Sequence, residues 1–179
     1  MIRVENCQPI SDVPAYKRVE MGLVQVPEGR QLSPFLSVRE NLEMGAYTQR
    51  ARSNLKESLE KVFGLFPRLK EREKQLAGTM SGGEQQMCSI GRGLMFMPKL
   101  IVLDEPTLGL APLLVKQIFT IVENLKQMGI TVLLVEQNVR QSLQVADRSY
   151  MLSNGKVMTH GASQELLNSD EIRQGYLGI

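Results

Sequence analysis

Ser81-Gly82-Gly83-Glu84-Gln85-Gln86, followed by Leu100-Ile101-Val102-Leu103-Asp104-Glu105-Pro106, sets the architecture of this chain. Ser81 and Glu84 stand at the serine-to-glutamate spacing of a capping box, which predicts a helix that opens there and that Pro98 ends. Two glycines at a helix start leave backbone N–H groups open to an approaching anion, and the helix dipole adds favourable partial charge. The same residues also suit an ordinary capped helix, so this stretch alone leaves both readings open. The apolar run Leu100 to Leu103 has the character of a buried parallel strand whose C-terminal end, Asp104-Glu105, carries polar chemistry. Pro112 suits the first turn of the next helix, Val115, Ile118, Phe119, Val122 and Leu125 line one of its faces, and Gly129 caps its end. Thr131 to Val135 then reads as a second buried strand. Strand, helix, strand at this spacing is a right-handed βαβ unit, so the fold class is α/β.

The pattern extends outward on both sides. The opening residues form a weak, polar lead-in with two prolines, and Leu23 to Val26, closed by Pro27, is a short strand. Ser37 and Glu40 repeat the capping spacing and open a helix to about Tyr47. A second helix follows, with Leu55, Leu59, Val62, Phe63 and Phe66 at helical intervals and Pro67 as its stop. Gly91 and Gly93 weaken the helix after Ser81 by roughly 0.5–1 kcal/mol each, so tertiary packing must hold it. Beyond the βαβ unit, Val139 to Val145 is a short helix. Ser149 to Ser153 and Lys156 to His160 flank Asn154-Gly155, a type I′ hairpin signal. From Ser163 onward the chain reads as helical surface.

Composition excludes several classes. With 179 residues and 42% hydrophobic content, one domain is the default. The 21 basic and 19 acidic residues are interspersed, so no basic block points to nucleic acid or anionic lipid. Cys7 and Cys88 lack metal-ligand spacing and form no disulfide framework. No apolar run approaches the roughly 20 residues of a membrane span, and no signal-peptide pattern opens the chain. His160, the sole histidine, reads as a surface residue, and the ten methionines as core filling or a partner-facing surface.

A carboxylate at the end of a buried strand can hold Mg²⁺ through its water shell in a nucleotide hydrolase, and a second can orient the attacking water. A pair of acids ending a strand is common in inert proteins as well; its ordered co-occurrence with Ser81 to Gln86 is the specific signal. SGGEQQ followed by IVLDEPTLGLAP resembles the signature motif, Walker B segment and D-loop of ABC ATPases. VPEGR at 26–30, LFPRLKER at 65–72, LLVEQN at 133–138 and Tyr176-Leu177-Gly178 extend the resemblance to the F-type ATP-binding subunit of branched-chain amino-acid importers, with urea-type importers also similar. The resemblance implies a P-loop NTPase-type core, the ABC nucleotide-binding domain, with an inserted helical subdomain at about 37–98, core strands and hairpin at about 99–160, and a helical tail at 161–179.

By the same resemblance, Ser81, Gly82 and Gly83 contact the γ-phosphate of ATP held by an opposing subunit, and Glu84 and Gln85 belong to the same nucleotide-binding set. Asp104 serves Mg²⁺ and Glu105 is the general base or water-orienting residue. Glu28 takes the Q-loop position, where glutamine is usual, and Gln137 the switch position, where histidine is usual. The D-loop reads Leu108-Gly109-Leu110-Ala111, without its frequent aspartate. The implied partners are a second ATP-binding subunit, identical or G-type, and transmembrane permease subunits, with no nucleic acid and no direct contact with the transported solute. The implied place is the cytoplasmic face of the plasma membrane, and the implied cargo leucine, isoleucine or valine.

No G-x-x-x-x-G-K-[ST] phosphate loop occurs in the 179 residues. The expectation is an N-terminally truncated domain that binds ATP weakly alone, with unpaired sheet edges and bare apolar surface. An alternative is a noncatalytic subunit that only completes a partner's ATP site.

Overall fold

The computed structural model describes residues 3–4, 8–169 and 172. In chain order the elements are β1 (Arg3–Val4), β2 (Gln8–Pro9), α1 (Ala15–Glu20), β3 (Leu23–Val26), α2 (Val38–Met44), α3 (Gln49–Ser53), α4 (Leu55–Leu65), α5 (Pro67–Glu71), α6 (Gly82–Met95), β4 (Leu100–Asp104), α7 (Pro112–Gln127), β5 (Thr131–Val135), α8 (Val139–Val145), β6 (Arg148–Ser153), β7 (Lys156–Ala162) and α9 (Ser163–Leu167). A 3₁₀ turn at Ala77–Thr79 leads into α6.

β3, β4 and β5 form a parallel sheet in that order, with Leu23 opposite Leu100 and Leu100 opposite Thr131. β4, the apolar run between Pro98 and Asp104, is central. α6 and α7 cover one face of the sheet, where Val24, Val26, Ile101 and Leu103 are buried. The other face is exposed along β5 and half-buried along β4 among the described residues. Leu133 is 53% and Val135 45% exposed, so the expectation that β5 is a fully buried strand is corrected. Only Val132 and Leu134 pack against the core. Side chains alternate along a strand, and among the described residues β5 has a neighbour on one edge only, with nothing packed over its second face.

The helical segment between β3 and β4 packs on α6. Ser37 and Ser81 both make complete capping boxes, as their spacing predicts. α2 stops at Met44 rather than Tyr47, and Tyr47 instead meets Phe96 edge-on at 5.2 Å. Buried Asn41 ties the preceding loop to α2 by donating to Ser33 O and Ser37 O and accepting from Ser33 N–H. The two helix-weakening glycines of α6 gain a reason. A Cβ on Gly91 would lie 2.9 Å from Leu42 Cδ2, and one on Gly93 would lie 2.7 Å from Val26 Cγ2. Both let α6 sit closer to α2 and to the sheet than any side chain would allow.

Three short helices lie outside the sequence expectations. α1 and α3 have no apolar period long enough to read, and Pro67, taken as a stop, also supplies the first residue of α5. The hairpin is as expected, with Asn154 and Gly155 both at positive φ (50° and 73°), the requirement of a type I′ turn. The region after Ser163 is less superficial than its sequence suggests. Leu166 and Ile172 are buried with Leu143 and Met151 in a small second core. Tyr176-Leu177-Gly178 lies outside the described residues.

Candidate functional site

The tip of α6 is held by local chemistry. Ser81 is exposed in an extended conformation, and its hydroxyl and N–H donate to Glu84 Oε2 at 2.8 and 3.0 Å. The Glu84 N–H returns a bond to Ser81 Oγ at 3.4 Å. Arg72 Nε takes the other oxygen, Oε1, at 2.8 Å. Burial pushes the Glu84 carboxyl upward, but the Ser81 hydrogen bonds and the charges of Arg72 and Arg68 prevail and hold it below the usual glutamate value. Glu84 thus points back into its own chain. So does Gln85, whose Nε2 donates to Ala77 O at 3.0 Å while Oε1 accepts from Arg30 at 3.3 Å. Gly83 is buried against Leu114, where a Cβ would come within 2.4 Å of Leu114 Cδ1. Ser81 and Gly82 are what the tip offers outward, together with the N–H groups that intrahelical bonding leaves unused at any helix start.

Nearly two turns into α6, Cys88 is fully buried. Burial pushes its thiol up to about 12, against the opposing charge of Arg92.

A second cluster stands at the C-terminal ends of β4 and β5. Asp104 ends β4 half-buried, opposite Val135. Glu105 follows at φ +47°, a left-handed conformation that a non-glycine residue holds only at an expense of order 1–3 kcal/mol. Its N–H donates to Val135 O at 2.9 Å, and Gln137 Nε2 donates to its Oε1 at 3.0 Å. Glu136 reaches the other way, accepting from the Thr107 N–H at 2.9 Å. Two adjacent residues after β5 therefore hold Glu105 and the loop that follows it.

The loop after β3 carries the third group. Glu28 is exposed there, and Gly29, Arg30 and Gln31 are all left-handed, at φ 79°, 63° and 44°. Arg30 O accepts from Ser89 Oγ at 2.7 Å and from Arg92 at 3.3 Å, which pins this loop on α6.

The structure thus joins Glu105 to Gln137 and joins Ser81, Glu84 and Gln85 around the α6 tip. No hydrogen bond or ion pair links these two groups, or links either to Glu28, among the described residues. Arg30, Arg72 and Glu136 were missed as contributors, because each acts on a residue brought near only by folding. The polar position beside Gln137 was the one available hint, for Glu136. Among the described residues there is no group of three or more histidine, cysteine, aspartate or glutamate side chains that could hold a metal by itself. Asp104 nevertheless fits Mg²⁺, which commonly takes one or two carboxylates and completes its shell with water and substrate phosphate oxygens.

Residues 2–108 match the family model described as ABC transporter. The chain is 48% identical over 177 residues to the high-affinity branched-chain amino acid transport ATP-binding protein BraG of Pseudomonas aeruginosa, covering 99% of this chain and 75% of that one. It is 34% identical over 175 residues to the probable branched-chain amino acid transport ATP-binding protein LivF of Archaeoglobus fulgidus, covering 97% and 74%. Among solved structures, an ATP-binding cassette named MJ1267 superimposes with a TM-score of 0.76 at 28% identity, covering 96% of this chain and 74% of that one. At 21% identity and a TM-score of 0.78, cbiO1 from Clostridium perfringens shares the fold.

Proposed function

The chain belongs to the ABC transporter ATP-binding family, whose members are ATPases coupled to transport, and from that premise we propose that it energises the uptake of branched-chain amino acids. The names of BraG and LivF support the cargo. In this reading Glu105 orients and deprotonates the water that attacks the γ-phosphate of ATP. Gln137, through its 3.0 Å hydrogen bond, fixes the direction of the Glu105 carboxylate. That contact is the observation that carries the proposal, because it joins two residues 32 positions apart at the strand ends where such chemistry belongs. An amide cannot shuttle a proton as imidazole does, so the contribution of Gln137 is orientation.

Asp104 would hold Mg²⁺, which would neutralise phosphate charge when bound, and Glu28, in the loop after β3, is assigned to the nucleotide. Ser81 and Gly82 face the terminal phosphate of an ATP held by a second ATP-binding subunit, and buried Gly83 can contribute only its backbone N–H at the helix start. Glu84 and Gln85 shape that tip, through Arg72 and Arg30 respectively. The glycine-lysine phosphate loop is not among these 179 residues. No helix among the described residues is long and apolar enough to cross a membrane. On the strength of the family's coupling to transport, attachment is assigned to permease subunits at the cytoplasmic face.

In the assembled transporter, Glu105→Gln should lower ATP turnover at its own site by about a hundredfold or more, the usual contribution of a positioned base. Undiminished hydrolysis, with the partner's site silenced separately, would remove Glu105 from this role.

A further inference from the structure

We infer that Arg30 is a positioning residue for the reaction, setting the Ser81–Gly83 tip against the loop that carries Glu28; this rests on the function proposed above. Two independent sets of contacts meet on this one residue. Its main chain is anchored to the body of α6, where Arg30 O accepts from Ser89 Oγ at 2.7 Å and from Arg92 at 3.3 Å. Its side chain returns to the beginning of the same helix. Arg30 Nη1 donates to Gln85 Oε1 at 3.3 Å, and the guanidinium packs so closely on Gly82 that a Cβ there would lie 3.0 Å from Nη2.

Gln85 is in turn bonded to Ala77 O, in the turn that leads into α6. The chain of contacts thus runs from the Glu28 loop through Arg30 to Gln85, Gly82 and the turn before Ser81. Arg30 holds φ +63° between two other left-handed residues, a run that persists only where the surroundings over-determine it. A planar guanidinium can press on a glycine and donate in its own plane at once, which an ammonium cannot do. The absence of a side chain at Gly82 acquires a second use, as the floor on which Arg30 rests.

Because, in the function proposed above, the tip meets an ATP held by a second subunit, a displaced tip should impair the closed, hydrolysing arrangement more than the first binding of ATP. The test is steady-state kinetics on the assembled transporter with Arg30→Met, Arg30→Lys, Gln85→Met and the double variant. Arg30→Met keeps the main-chain anchors, since Ser89 and Arg92 bond to the carbonyl. It should lower kcat about tenfold, the loss expected for one hydrogen bond from a charged group, while KM for ATP changes less than about twofold. Arg30→Lys should recover part of kcat. The loss in the double variant should be smaller than the product of the two single losses, because the substitutions share the Arg30–Gln85 contact, while Gln85→Met removes the bond to Ala77 O as well.

A wild-type kcat for Arg30→Met, a lysine variant no faster than the methionine one, or losses that multiply in the double variant would overturn the inference. Should Arg30→Met fail to assemble, Gln85→Met reads the same contact from its other end, with the same expected fall in kcat. Glu105→Gln in the same preparation separates the two levels. If it stops turnover while Arg30→Met does not slow it, only the role of Arg30 falls; if it too leaves turnover intact, the proposed function falls.

Discussion

Gly45→Ala should destabilise this protein although alanine is the better helix former. Gly45 caps the C-terminus of α2 at φ −68°, a conformation any residue adopts, so the backbone alone predicts a gain of roughly 0.5–1 kcal/mol. The surroundings oppose it. A Cβ built there lies 2.1 Å from Arg92 O and 2.9 Å from Met95 Cβ, both on α6. A carbon–oxygen contact needs about 3.3 Å, so α2 and α6 would have to part by about 1 Å, against a backbone carbonyl that cannot swing aside as a side chain can. Overpacking of this kind costs about 1–3 kcal/mol and sometimes more.

With the upper part of that range and the propensity gain subtracted, the net loss is about 2 kcal/mol. For a chain of this size that is a fall in melting temperature of about 4–8 °C. Gly64→Ala is the matched control. Gly64 is exposed within α4 and nothing lies within 4 Å of its Cβ position, so the same substitution should stabilise, raising the melting temperature by about 1–4 °C. Thermal unfolding of the two purified variants beside the parent decides the matter. A Gly45→Ala protein that melts at or above the parent would refute the close α2–α6 contact and, with it, the seat of the helix whose tip carries Ser81.

Acid should loosen that tip. Glu84 titrates below its ordinary value of 4.5 in the folded state, so its stabilisation is present above that pH and is lost as pH falls through the lowered folded value. Glu84→Gln should therefore flatten the pH-stability profile below about pH 4.5, and profiles that run parallel to the parent's throughout would contradict the capping arrangement. Cys88, fully buried with its thiol pushed up to about 12, should resist thiol-directed reagents at neutral pH until the protein is unfolded. Rapid labelling of native protein, located to Cys88 by mass spectrometry, would show that α6 opens locally.

Much of this protein is local in origin and therefore legible in the sequence. A serine three residues before a glutamate closes a capping box within one turn, which is why Ser37 and Ser81 mark their helix starts correctly. Asn154-Gly155 makes its hairpin turn by tolerating positive φ at two adjacent positions. Leu100 to Leu103 is apolar without alternation, and it becomes the central strand. The residue types of the candidate site, Ser81 to Gln85 and Asp104-Glu105, are equally readable, because each group is contiguous.

Only the tertiary structure decided which partners those residues meet. Gln137 lies 32 positions from Glu105, and Arg30 lies 55 from Gln85; no periodicity announces such contacts, since they depend on how β5 registers with β4 and how the loop after β3 folds onto α6. The same holds for burial. Thr131 to Val135 is as apolar as a buried strand, yet Leu133 and Val135 are exposed, because side-chain alternation fixes that a strand has two faces and only the packing of other elements determines which of them is covered. Gly91 and Gly93 read as weak points in their helix, and it is the approach of neighbouring elements to within a side chain's breadth, met also at Gly45, that makes glycine the residue that fits.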